Sequence, residues 1–197
     1  MPQFFFSNFL AHVSLFLGIH RSNFLWMIVQ PILLAEDSEN DAILFQHQLK
    51  QARILNPLHV VTDGAQVIDY LDGKGKYSDR SLHPLPVVLF LDLRMPKIGG
   101  YQILSFLQAS HIHRGLPVIV LSVWGEMKDV GEAYQRGAKS FLIKPLEAAD
   151  LVHTLRGIHP LRLKGVEGGF ILERTDMPLG AVDPKATACS PPQQPEL

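Results

Sequence analysis

The run PVVLFLDL, residues 86–93, restricts the fold more than any other stretch of the chain. A strand with one wet face alternates apolar and polar residues; this one is apolar on both faces until Asp92, so both faces are expected to be covered. PILLA at 31–35, PVIVL at 117–121 and SFLI at 140–143 read the same way, and LHVV at 58–61 completes a set of five. Helical patterns separate them. After Ser38, the residues Ala42, Phe45, Leu49 and Ala52 fall on one face, with Ser38 as N-cap and Asp41 close to completing a capping box. Asp63 is placed to cap a short helix through Leu71, and helices are expected over 101–109, 126–136 and from Glu147, where Ala148, Leu151, Leu155 and Ile158 form a stripe. Buried strands alternating with helices predict an α/β fold, a doubly wound five-stranded parallel sheet.

In such a sheet, functional groups collect at the carboxyl ends of the strands. The residues that stop the apolar runs fit that rule: Glu36 and Asp37 after the first strand, Asp92 in the third, Ser122 after the fourth and Lys144 after the fifth. Taken singly, an acidic pair marks a helix start, a serine a turn and a Lys-Pro the surface. Together they bring three carboxylates, a hydroxyl and an ammonium to one edge. Crowded carboxylates resist ionisation unless a cation is near, and oxygen ligands suit a hard ion such as Mg²⁺. With that charge neutralised, Asp92 becomes a usable nucleophile toward phosphorus, with Lys144 and Ser122 available to the phosphoryl oxygens.

These residues carry a family resemblance. LLAEDSEND, VLFLDLRMPKIGG, VIVLS and GAKSFLIKPL, together spanning about residues 29–158, resemble the receiver domain of two-component response regulators. The long polar loop DGKGKYSDRSLHP (72–84) and FLDLRMPK further resemble the single-domain regulators that accompany phytochrome-type histidine kinases. The resemblance implies a flavodoxin-like (βα)5 receiver fold with Asp92 as phosphoacceptor. It implies Mg²⁺ held by Asp37, Asp92 and the backbone carbonyl of Arg94, with Glu36 acting through a water. Ser122 and Phe141 would be the switch pair, Lys144 would bind the phosphoryl group, and the bond to Pro145 would be cis. Val123 and Trp124 depart from the family's preference for small side chains beside the switch serine, and are expected to narrow the path of hydrolytic water.

Other classes fit less well. An aspartyl-phosphate phosphatase typically has a second Asp two positions after the nucleophile as general acid; here that position is Arg94. A degenerate receiver used only for docking would not need the complete set of five site residues. With 18 basic and 19 acidic residues the net charge is −1, so no nucleic-acid partner is expected. The single cysteine, Cys189, points to a cytoplasmic protein. His111 and His113 read as solvated surface without an acidic partner nearby.

The domain is expected over 28–160. The apolar extension 1–27 is read first as an upstream in-frame start with Met27 as the true beginning, so residues 1–26 should be dispensable; membrane contact is the lesser reading. Residues 161–197, with Gly165, Gly168 and Gly169 and a proline-rich end, read as a flexible tail. The expected protein is not an enzyme beyond intrinsic self-phosphorylation and self-dephosphorylation. It takes its phosphoryl group from a sensor histidine kinase or phosphotransfer protein. No output domain is recognised after the receiver, so the signal is expected to pass to a downstream target, or to self-association, through residues 126–157.

Overall fold

The computed structural model describes residues 29–113, 115–123 and 128–176. The readings of residues 1–27, Trp124, Cys189 and residues 177–197 lie outside them. Each apolar run becomes a strand: β1 Ile32–Ala35, β2 Leu58–Val61, β3 Val88–Asp92, β4 Val118–Val123 and β5 Ser140–Lys144. They pair in parallel in the order β2-β1-β3-β4-β5, with Ala35 beside Leu91 and Asp92 beside Leu121 in register. The expected doubly wound sheet is the one observed.

Between the strands lie α1 (Glu39–Gln51), α2 (Gly64–Asp72), α3 (Gly100–Ala109), α4 (Lys128–Gln135) and α5 (Ala148–Gly157). Strand alternation divides the core in two. Ile32, Leu34, Phe90 and Leu121 pack with Phe45 and Leu49 of α1 and Leu151 and Leu155 of α5. Leu33, Leu89 and Leu91 pack on the other face with Val67, Leu71, Ile103 and Leu104 from α2 and α3. Burial of β1 and β3 on both faces is what their unbroken apolar runs encode.

Capping is close to expectation. The Ser38 hydroxyl accepts the Asp41 N–H at 3.3 Å, and the Asp63 carboxylate accepts the Gln66 N–H at 2.9 Å. The capping box at α1 is open, however: the Ser38 N–H donates to Glu36 Oε1, while the Asp41 carboxylate turns elsewhere. The long loop after α2 has a fold of its own. Gly73 ends the helix at φ 68°, and a 3-10 turn follows at Gly75–Tyr77. The Arg80 guanidinium then donates to the carbonyls of Tyr70, Leu71 and His83.

Two expectations are corrected. Residues 161–174 are not a flexible tail but an antiparallel hairpin, β6 (Leu161–Val166) and β7 (Gly169–Arg174), with Leu161, Ile171 and Leu172 buried. Asn56 fastens it: its Nδ2 donates to Gln30 O and Leu172 O, and its Oδ1 accepts the Leu172 N–H at 2.7 Å. The Arg53 carbonyl and the Leu55 N–H complete the seam with Phe170. Of the glycines that suggested a tail, Gly168 makes the turn at φ 87°, while Gly165 and Gly169 pair within the strands. His113 is not solvated either. It is buried, with Nε2 3.0 Å from Asp72 Oδ1, and so joins the α3–β4 connection to the end of α2. Among the described residues no helix is long and apolar enough to cross a membrane.

Candidate functional site

Strand ends set the site. Glu36 follows β1, and its N–H donates to Val61 O, so the sheet ladder carries it to the edge and buries its side chain. Asp37, one residue later, is exposed. Asp92 closes β3; its Oδ1 accepts the Arg94 N–H at 2.8 Å, which fixes the carboxylate against the loop that follows. That loop returns tightly to α3. A Cβ at Gly100 would lie 2.8 Å from Asp92 O, so only glycine lets the helix start this close to the strand end.

Lys144, the last residue of β5, reaches across the sheet edge. Its Nζ donates to Asp92 Oδ2 and Glu36 Oε2 at 2.5 Å each, and to Asp41 Oδ2 at 3.0 Å. An ammonium has three N–H donors, and here all of them meet carboxylates. Burial would favour the neutral amine, but the bonds to Asp92, Glu36 and Asp41 outweigh it and hold Lys144 above its ordinary value, firmly cationic. Burial raises Glu36 above its usual range, while Lys144 opposes the shift.

Carboxylate oxygens of Glu36, Asp37 and Asp92 lie within 4.8 Å of one another. An all-oxygen set with one exposed and two buried members fits a hard divalent cation that keeps several waters. Asp41 is the member that sequence reasoning missed. It was read for its cap, and its carboxylate's partner lies 103 residues away.

Ser122 is buried near the end of β4. Val120 pairs with Phe141 in register, so alternation puts Ser122 and Phe141 on the same face of the sheet. Phe141 is half-buried against the α2–α3 side of the core. Val123 pairs with Lys144 and is exposed at the strand end, and the Lys144–Pro145 peptide is cis. Beside Lys144 opens a cleft of about 310 Å³, walled by Leu44, Phe45, Val123, Pro145 and Leu146.

Comparison with known proteins agrees with this geometry. The family model for the response regulator receiver domain matches residues 32–156. The probable methanogenesis regulatory protein FilR2 of Methanothrix harundinacea is 34% identical over 130 residues, covering 64% of this chain and 79% of its own. Response regulator Rcp1 of Synechocystis is 31% identical over 135 residues, covering 68% and 90%. Among solved structures, the bacteriophytochrome response regulator RtBRR superimposes with a TM-score of 0.61 at 35% identity, covering 66% of this chain and 79% of its own. The Mn²⁺-bound form of Rcp1 gives 0.55 at 31% identity, covering 66% and 91%.

Proposed function

The chain belongs to the response regulator receiver domain family, and from that premise we propose that it is a single-domain regulator that takes a phosphoryl group onto Asp92 in a Mg²⁺-dependent reaction. The observation that carries the reading is the junction of Lys144 with Glu36, Asp41 and Asp92 at one sheet edge. Asp37, Asp92 and the Arg94 carbonyl would hold the metal directly and Glu36 through a water; the Mn²⁺-bound relative supports a divalent site. Bound there, Mg²⁺ would neutralise the carboxylates and the phosphoryl oxygens.

The chain's own groups supply the rest. An Asp92 carboxylate oxygen forms the new O–P bond as the N–P bond of a donor phosphohistidine breaks, and the electron pair leaves with the imidazole. Lys144 then exchanges its bond to Asp92 for one to a phosphoryl oxygen without needing a new cation. Ser122 donates to a second oxygen, and the vacated space draws the Phe141 ring inward, which biases the surface of α4, β5 and α5. The donor is a sensor histidine kinase or phosphotransfer protein, seated on the cleft beside Lys144, where Leu44 and Val123 leave apolar surface exposed. The receiver domain spans about 28–160, with the hairpin of 161–174 packed onto it. The signal passes to a downstream protein or a second copy, in the cytoplasm.

The test is to incubate the chain with Mg²⁺ and a small acyl-phosphate donor, then map the adduct. One hydroxylamine-labile phosphoryl group on the peptide containing Asp92 is expected; labelling elsewhere, or in the absence of divalent metal, defeats the reading. Metal affinity should also rank the acids. In calorimetric titration with Mg²⁺, Asp37→Asn is expected to lose at least about tenfold in affinity and Glu36→Gln clearly less. The reverse ranking would exchange their roles.

A further inference from the structure

The loop that follows Asp92 is held in place from outside the site. Lys97 lies three residues beyond Arg94 with φ 65°, a left-handed conformation that a lysine adopts only when its surroundings hold it there. Its Nζ donates to Asp63 Oδ2 at 2.6 Å. Asp63 is buried at the start of α2, and its bonds to Gln66 and Lys97 outweigh burial and hold its carboxyl down at about 2. The fit is steric as well: a Cβ at Gly64 would lie 2.1 Å from Ile98 O, so loop and turn touch backbone to backbone.

The same polar chain continues away from the site. Gln66 Nε2 donates to Asp63 Oδ2 at 3.0 Å and to Thr62 Oγ1, while its Oε1 accepts from Tyr77 Oη at 2.9 Å and Lys76 Nζ. Tyr77 is the buried anchor of the 3-10 turn, with its ring 5.1 Å from both Tyr70 and His83. The long loop after α2 is thereby joined to the metal-binding loop by four consecutive side chains, none of which belongs to the phosphoryl or metal machinery.

We infer that Tyr77, Gln66, Asp63 and Lys97 are positioning residues that set the Arg94 carbonyl for the metal, making the fold of the 73–86 loop a determinant of divalent-cation affinity. The inference rests on the metal reading of Glu36, Asp37 and Asp92 proposed above. Because coupling is reciprocal, loosening either end of the chain weakens binding, and metal binding steadies the 3-10 turn.

The experiment titrates Mg²⁺ calorimetrically into the full chain, its Lys97→Met, Lys97→Arg and Tyr77→Phe variants, and the Lys97→Met/Tyr77→Phe double. Lys97→Met is expected to weaken Mg²⁺ about tenfold and Lys97→Arg to restore most of it. Tyr77→Phe keeps its ring packing and is expected to lose about threefold, with little further loss in the double variant, because both act through one chain. Parental affinity in Tyr77→Phe, or multiplicative losses in the double, overturns the inference. So does a fall in melting temperature with metal affinity unmoved, the mark of a merely structural tyrosine. Should Tyr77→Phe fail to fold, Gln66→Leu cuts the same chain at its half-buried middle and is held to the same criteria. A parent that takes up no Mg²⁺ overturns the metal reading along with it, and that result is read from the parent's titration alone.

Discussion

Lys144→Met is expected to unfold more easily than the parent by about 3 kcal/mol at neutral pH without metal, because it strands a buried carboxylate. Glu36 is 2% exposed and has Lys144 as its cationic partner. The loss should depend on pH. Burial already raises the Glu36 carboxyl in the folded state, and without Lys144 it rises further. A carboxyl raised on folding contributes stability that is present below its unfolded pKa and is lost as pH rises through its folded value. The deficit of Lys144→Met therefore shrinks as pH is lowered toward the ordinary carboxylate range and grows toward neutrality. Asp92→Asn should do the opposite. It removes a negative charge that repels Glu36 and leaves Lys144 with Glu36 and Asp41, so its stability should equal or exceed the parent's. Both variants should fail to accumulate phosphoryl groups, Asp92→Asn for want of a nucleophile and Lys144→Met through a rate about 100-fold lower. Thermal unfolding across pH, with acyl-phosphate labelling alongside, checks all of this. Parental stability and labelling in Lys144→Met would remove Lys144 from its assigned role.

The second large effect lies far from the chemistry. Asn56→Ala deletes three hydrogen bonds at once, two to carbonyls and one from the Leu172 N–H, within a buried seam. Leaving buried partners unsatisfied costs about 2–4 kcal/mol in total, which lowers the melting temperature of a domain this size on the order of 10 °C. Limited proteolysis should then cut first within 161–176. A melting temperature close to the parent's, with the hairpin still protected, would show that apolar contacts alone hold it. Asn56→Asp is no rescue: it keeps an acceptor but places a charge where two donors are needed.

What could be read in the sequence was what is local. Unbroken apolar runs gave β1 and β3 because burial on both faces leaves no polar register, and the residues ending those runs gave the candidate cluster at the sheet edge because strand ends are where the chain turns. Ser38 and Asp63 were legible as caps because their partners lie three residues on. The hairpin was not, since its glycines and charges match a tail and its anchor is an asparagine 116 residues from Leu172. Asp72 meets His113 across 41 residues and Asp41 meets Lys144 across 103, and neither pairing leaves a periodic trace. In each of these misses, a side chain's role depends on a partner that only the folded topology supplies.

The Asn56 seam also governs where the chain can be opened and rejoined. Gln30 O and Leu172 O approach the same amide nitrogen at 2.9 and 2.8 Å, so the segment entering β1 and the second half of β7 lie side by side. They do so at the amino ends of the strands, about 13 Å of strand away from Asp92. Circular permutation is therefore open to this domain: a short linker can join residues 29 and 176 while new ends are cut elsewhere on the surface. Cargo fused at either junction would hang from the pole opposite Asp92.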